Sequence, residues 1–412
     1  MGKILRLEEI KLNEPLIESL YDSDGKLLMQ RGSMMTADKL KAFALKGLRY
    51  LELGAPSSEA DANVSAIATL EAPEADEQWN GGISAENAAV VVTRSTPHPS
   101  IRPLDETTAE RIAQLVWRAA ITVEDLGKQL ADGTLRDATP IRNVADEFLQ
   151  ELQSDSDQTI STALKQNADQ QLAVRSVQLS VLSIAIARAM KMTVEEQATV
   201  GSAAMLHDMA LFELPENERH SPELMRPESR RVYESHPAIA YDMLEKVRDI
   251  DGTVRIIVLQ AHEQADGTGF PRRISITRTH RLARVVNLAD AYLTLVGCGQ
   301  GSQNIYPADA ISYLMHHSCQ GRFDSVATCG LVRAVSLFPL GTLVRLSDNR
   351  TARVARAVGD NPLAPIVSVT ERDGSQSMVD LTGESLSIKR PLDDTELGRR
   401  RLSASDIEKV LW

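Results

Sequence analysis

At 412 residues with 43% hydrophobic and 4% aromatic content, the chain is long enough for two or three domains with a sizeable core. A formal net charge of -12 argues against a nucleic-acid polymer as partner, because phosphate recognition needs clustered lysine and arginine. Cys298, Cys319 and Cys329 share no metal-ligand spacing, no run approaches the roughly 18 apolar residues of a membrane span, and the N-terminus has no signal-peptide pattern, so a soluble cytoplasmic protein with no membrane segment is expected.

Residues 1–54 read as a small α+β module. Strand-like segments at 15–21 and 26–30 flank the turn Asp22-Ser23-Asp24-Gly25, Thr36 caps a helix that ends at Gly47, and 48–53 returns as a strand. Residues 55–104 change character: no lysine or arginine occurs from 51 to 93, while acidic residues are interspersed with Ala, Ser and Pro. Such a segment buries too little apolar surface to offset its ordering entropy, so a flexible acidic linker is expected.

Connecting helices follow over 105–153, the first with Ile112, Leu115, Val116, Ala119 and Val123 at helical spacing, the second after Pro140. A helical domain is expected over 154–336, within which Thr193 and Glu196 form a capping box that opens one helix over 194–209. Phe338-Pro339-Leu340-Gly341 breaks the pattern, and period-two segments at 342–346, 352–357, 366–370 and 377–381 predict a small β-domain over 337–397. Residues 398–412 hold the basic cluster Arg399-Arg400-Arg401 and a terminal helix capped by Ser403.

The chemistry concentrates in the helical domain. His207-Asp208 lies at the end of an apolar helix, where a buried imidazole and carboxylate need a hydrogen-bonding or metal partner to offset desolvation. It is followed by His236-Pro237, by His262-Glu263 leading into Asp266-Gly267-Thr268-Gly269-Phe270-Pro271, and by Ala289-Asp290. His220 and the pair His316-His317 have no fitting carboxylate in this pattern and read as surface or helix residues.

That ordered set resembles the HD-GYP domain, a helical member of the HD phosphohydrolase superfamily that hydrolyses cyclic di-GMP in bacterial signalling. The resemblance implies a mainly α fold: a central HD-type helical bundle, with a small N-terminal α+β module and a C-terminal β-rich domain. By the same resemblance His207, Asp208 and Asp290 would serve one metal, and Asp208, His236 and His262 a second, with His207 and Asp208 at the catalytic centre. Gly269, Phe270, Pro271 and Arg284 would meet substrate.

The chain departs from the family pattern in several places. Arg175 stands where the family has its first ligand histidine, and Ala261 precedes His262 where the family has a second histidine. Leu211 replaces the lysine of HDxGK, Phe270 the tyrosine of GYP and Leu293 a second aspartate, while residues 300–307 carry no arginine where the family is basic. A guanidinium at Arg175 beside Asp208 or Asp290 would supply a metal-replacing ion pair.

Three readings follow. The preferred one is a divergent HD-GYP protein with an incomplete metal and phosphate site that acts by binding or protein contacts. The alternatives are an active metal-dependent cyclic di-GMP phosphodiesterase and an HD phosphohydrolase with another nucleotide substrate or one metal. The cofactor implied is a divalent metal, iron or manganese, at partial occupancy or absent. The partners implied are cyclic di-GMP, a signalling protein and a second copy of the chain.

Overall fold

In the computed structural model, which describes residues 3–6, 19–21, 27–29, 33, 50–54, 104–165, 172–213, 227–297, 305–357, 361–371, 375–382 and 385–392, the chain divides into a unit over 1–71 and a larger one over 72–412. The first unit contains an antiparallel sheet of strands β1 (Lys3–Arg6), β2 (Ser19–Tyr21), β3 (Leu27–Met29) and β4 (Tyr50–Gly54), in the order β1-β4-β2-β3. Strand β1, unforeseen in the sequence, pairs with β4 in the register Leu5↔Leu51. The expected helix at 36–47, the acidic linker as far as 103 and the segment 398–412 lie outside the described residues.

The larger unit is mainly helical. Helix α1 (Glu106–Ala131) starts at Asp105, whose carboxylate accepts from the Thr108 amide at 2.7 Å, and buries the apolar stripe read from its spacing. Helix α2 (Thr139–Ser154) begins with Pro140 in its first turn, and α3 (Ser156–Lys165) follows after one residue. Helix α4 (Leu172–Ala189) is apolar all round because it is surrounded, packing against α1, α2, α3 and the three later helices described below. It is long and apolar enough to cross a membrane, yet 83% of it is buried inside the bundle.

Helix α5 (Val194–Leu206) opens on the Thr193/Glu196 capping box and approaches α4 closely at Gly201, where an added Cβ would lie 2.6 Å from the Ile184 side chain. It stops at Leu206 rather than continuing to 209: His207 is its cap, and Met209–Glu213 tightens into a 3-10 turn that buries Leu211. Helices α6 (Pro227–Leu244), α7 (Gly252–Gln260), α8 (Arg281–Gly297), α9 (Pro307–Cys319) and α10 (Ser325–Val335) complete the bundle. Of these, α8 and α10 pack on α4 directly, as does α5. The helices of 105–153 share this one core with the rest.

Strands β5 (Leu343–Leu346), β6 (Thr351–Arg356), β7 (Ile366–Thr370), β8 (Gln376–Asp380) and β9 (Ile388–Pro391) form an antiparallel sheet of order β8-β7-β6-β5-β9. The first four match the period-two segments; β9 lacks a clear alternation and closes the edge. Val344, Leu346, Val354, Val367 and Val369 belong to the helical core, so the sheet is seated on the bundle rather than hung from it. Polar contacts fix that seat. Arg356 donates from Nη1 to both carboxylate oxygens of Asp155, at 2.7 and 2.9 Å, and the Ala357 amide donates to Asp157 at 3.0 Å.

Burial pushes the Asp157 carboxyl up to about 6, against the opposing hydrogen bond from Ala357 and the charge of Arg356. Its folded pKa therefore lies above the unfolded value of about 3.9, so its contribution to stability is fully present below that value and is lost as pH rises through about 6. Asp157→Asn keeps an acceptor for Ala357 without the charge. Denaturation midpoints of the two proteins at about pH 4.5 and 7.5 should show a stability loss of the order of 1–3 kcal/mol in the parent that the variant lacks; parallel pH profiles would reject this role for Asp157.

Candidate metal centre

The polar groups of the centre reach it from five helices. His207 caps α5 and Asp208 is the next residue; His236 lies within α6, His262 just past the end of α7, Asp290 on α8 and Arg175 on α4. Asp208 is the hub. Its Oδ1 lies 3.0 Å from His236 Nε2 and 3.4 Å from His262 Nε2, its Oδ2 lies 3.1 Å from His207 Nε2, and the His236 and His262 Nε2 atoms are 3.1 Å apart. All four residues are buried.

The backbone fixes how two of these imidazoles face. His207 Nδ1 donates to the Ala204 carbonyl at 2.8 Å and His236 Nδ1 to the Tyr233 carbonyl at 2.7 Å, which leaves each Nε2 directed inward. His207 Nε2 is buried and has no hydrogen-bond partner among the described residues, despite its distance of 3.1 Å to the carboxylate. Buried imidazole nitrogens converging on one buried carboxylate suit a divalent cation, and His207, Asp208 and His262 present ligand atoms all within 4.8 Å of one another.

Electrostatics centres on the same carboxylate. Burial opposes the Asp208 charge, but His207, and after it the contacts of His236 and His262 at hydrogen-bond distance, hold its pKa well below the usual carboxylate range. For His207, burial opposes protonation and the Asp208 charge outweighs it, raising the pKa; for His236 burial wins and lowers it. Asp290 is differently served. Arg175 Nη2 lies 2.7 Å from Asp290 Oδ1 and donates to Thr294 Oγ1 at 2.6 Å, while the other oxygen of Asp290 is 3.8 Å from His262 Nδ1. Of the two partners anticipated for Arg175, it is Asp290 that takes the guanidinium.

The Asp266–Pro271 loop supports His262. The Phe270 ring stacks on the His262 imidazole at 4.8 Å and 12°, and the Phe270 amide donates to the His262 carbonyl at 3.1 Å. Gly269 makes that approach feasible, since a Cβ there would sit 2.3 Å from the same carbonyl oxygen. Pro271 follows through a cis peptide bond. Beyond it, buried Glu263 accepts from the amides of Arg272 at 2.6 Å and Ile274 at 3.0 Å; burial pushes its pKa up and those amides pull it down.

Arg284 is engaged elsewhere. Its guanidinium bonds Asp324 at 3.0 Å and the carbonyls of Ile276 and Thr279, bracing the N-terminus of α10 against α8. A cleft of about 180 Å³ opens beside Phe270, lined among others by Arg230, Arg273, Arg322 and Gln264. The sequence pattern did not point to Arg322 or Thr294, whose partners Gln264 and Arg175 lie 58 and 119 residues away. Leu211, Ala261 and Leu293 are buried where the resemblance leads one to expect polar ligands. Of residues 300–307, 300–304 lie outside the described residues, and Pro307 starts α9. Gly269→Ala should cost about 1–3 kcal/mol of stability through forced displacement of the loop, read from denaturant midpoints; an unchanged midpoint would mean that this close approach is not made.

Residues 143–326 match the family model described as HD domain, which begins inside α2 and ends in the first turn of α10. A cyclic di-GMP phosphodiesterase of Pseudomonas aeruginosa is 25% identical over 306 residues, covering 74% of this chain and 72% of the relative. The cyclic di-GMP phosphodiesterase PdeB of Borreliella burgdorferi is 20% identical over 231 residues, 54% of this chain and 60% of PdeB. A solved structure described as Bd1817, a HDG"Y"P protein from Bdellovibrio bacteriovorus, covers 80% of this chain and 98% of its own at 18% identity, with a TM-score of 0.45. With the His207-Asp208 pair, its two histidine partners and the Gly269-Phe270-Pro271 turn held together over 143–326, the chain carries a divergent HD domain of the HD-GYP type.

Proposed function

We propose that the chain acts in bacterial cyclic di-GMP signalling by binding and protein contacts, with a metal and phosphate site too incomplete for efficient hydrolysis. The observation that carries this reading is the ion pair of Arg175 with Asp290 at 2.7 Å, which commits a family ligand to a fixed organic cation. Leu211, packed in the core where the family pattern has its phosphate lysine, supports it. The naming of relatives from two bacteria as cyclic di-GMP phosphodiesterases supports the ligand.

In this reading His207, Asp208, His236 and His262 keep a polar centre to which iron or manganese can be bound, and Gly269, Phe270 and Pro271 set one wall of the ligand site. Bound there, a divalent ion supplies Lewis-acid charge and an acidified water. The module at 1–54, joined through 55–104 and the helices of 105–153, and the β-domain at 337–397, are the surfaces for a signalling partner or a second copy of the chain in the cytoplasm. A second reading, an active phosphodiesterase with an altered metal site, draws on the convergence of His236 and His262 upon Asp208 Oδ1.

Calorimetric titration of the full chain with cyclic di-GMP, alongside a hydrolysis assay with added manganese or ferrous iron, separates the two. Binding is expected with turnover far below the order of 1 per second; metal-dependent turnover at that rate or above would favour the phosphodiesterase, and no binding would remove the ligand.

A further inference from the structure

We infer that the centre is built for one divalent cation per chain, held by Asp208 Oδ1, His236 Nε2 and His262 Nε2, and that Arg175 permanently takes the place of a second ion at Asp290. The stoichiometry is a property of these residues, whatever nucleotide is bound.

The compact triangle sets the first half of the argument. Three potential ligand atoms stand 3.0, 3.1 and 3.4 Å apart around one point. Ligand bonds of about 2.1 Å in tetrahedral array separate donor atoms by about 3.4 Å, so this spacing encloses a single ion. His236 Nδ1 is spent on the Tyr233 carbonyl, which turns its Nε2 lone pair inward. A cation in that gap would be met at once by the His236 and His262 Nε2 atoms and the Asp208 carboxylate oxygen.

The second half concerns the other side of Asp208. A further ion, lying about 3.5–4 Å from the first in two-metal sites, would draw on Asp208 Oδ2, His207 Nε2 and Asp290. Asp290 Oδ1 already receives Arg175 Nη2 at 2.7 Å, and the same nitrogen is anchored on Thr294 Oγ1 at 2.6 Å. The guanidinium is positively charged at every accessible pH, and an ion pushed against it would meet like charge in a partly buried site. Arg175 thus supplies the counter-charge that Asp290 needs and bars the ion that would otherwise supply it.

The test is a metal count on the full chain, stripped with chelator, reloaded with manganese and freed of excess ion by gel filtration. Elemental analysis should give one manganese per chain, with the paramagnetic resonance signal of an isolated ion. His236→Ala and His262→Ala should reduce the count toward zero. The charge-neutral pair Arg175→Gln with Asp290→Asn should keep one, because neither residue belongs to the triangle, and it guards against misfolding from a lone unpaired charge. Arg175→His, its fold checked by circular dichroism, should raise the count from one to two with a spin-coupled signal. A parent that holds two ions or none, a neutral pair that holds none, or a folded Arg175→His that stays at one would overturn the inference. A failure of cyclic di-GMP binding leaves these counts untouched, so the two readings fail separately.

Discussion

Asp208 is a carboxylate withdrawn from water, and the arrangement of the bundle answers the cost of that withdrawal. Removing such a charge from solvent costs several kcal/mol unless partners surround it. Three imidazoles do so, carried by the end of α5, the middle of α6 and the residue beyond α7, and no two neighbouring positions on one helix could present nitrogens from such different directions. The helices must therefore close on one another before the charge is compensated. Apolar α4 and the close α4–α5 approach at Gly201 provide the rigid floor against which that closure occurs.

The loop from Asp266 to Pro271 extends the same requirement outward. His262 lies past the end of its helix, where ring orientation is not set by helical geometry alone. Phe270 stacks on one face of the ring, and the Phe270 amide holds the carbonyl of the same residue. Glu263, adjacent in sequence, ties down the chain that follows through two amides. One residue of the centre is thus steadied by groups on both sides of a turn.

Much of this was legible in local sequence, because it rests on local rules. The apolar stripe of α1, the Thr193/Glu196 box, the break at Phe338 and four of the five C-terminal strands depend on residues within a few positions of one another. The end of α5 was misplaced by three residues, since nothing local distinguishes a helical His207-Asp208 from one drawn into a turn by its partners. Strands β1 and β9 owe their existence to pairing with β4 and β5 and carry little pattern of their own. The site residues were found through an ordered motif. Their supporting contacts, Thr294 with Arg175 or Arg322 with Gln264, span 119 and 58 residues and leave no trace in spacing. The engagement of Arg284 by Asp324, 40 residues away, is of the same kind.

The Arg175–Asp290 pair changes what the fold requires of its surroundings. A carboxylate that relies on a metal ion is compensated only while the ion is supplied, and the free energy of ion binding becomes part of the stability of the bundle. A guanidinium tethered to α4 is present at a fixed effective concentration and cannot be chelated away. It also joins α4 to α8 through Asp290 and Thr294 together, a two-point contact on α8 that a spherical ion would not direct. Its planar geometry fixes the direction from which Asp290 is approached, so the orientation of that carboxylate toward His262 no longer varies with metal supply. The side of the centre next to α4 is then structural in character, while on the other side His236 and His262 converge on Asp208 Oδ1.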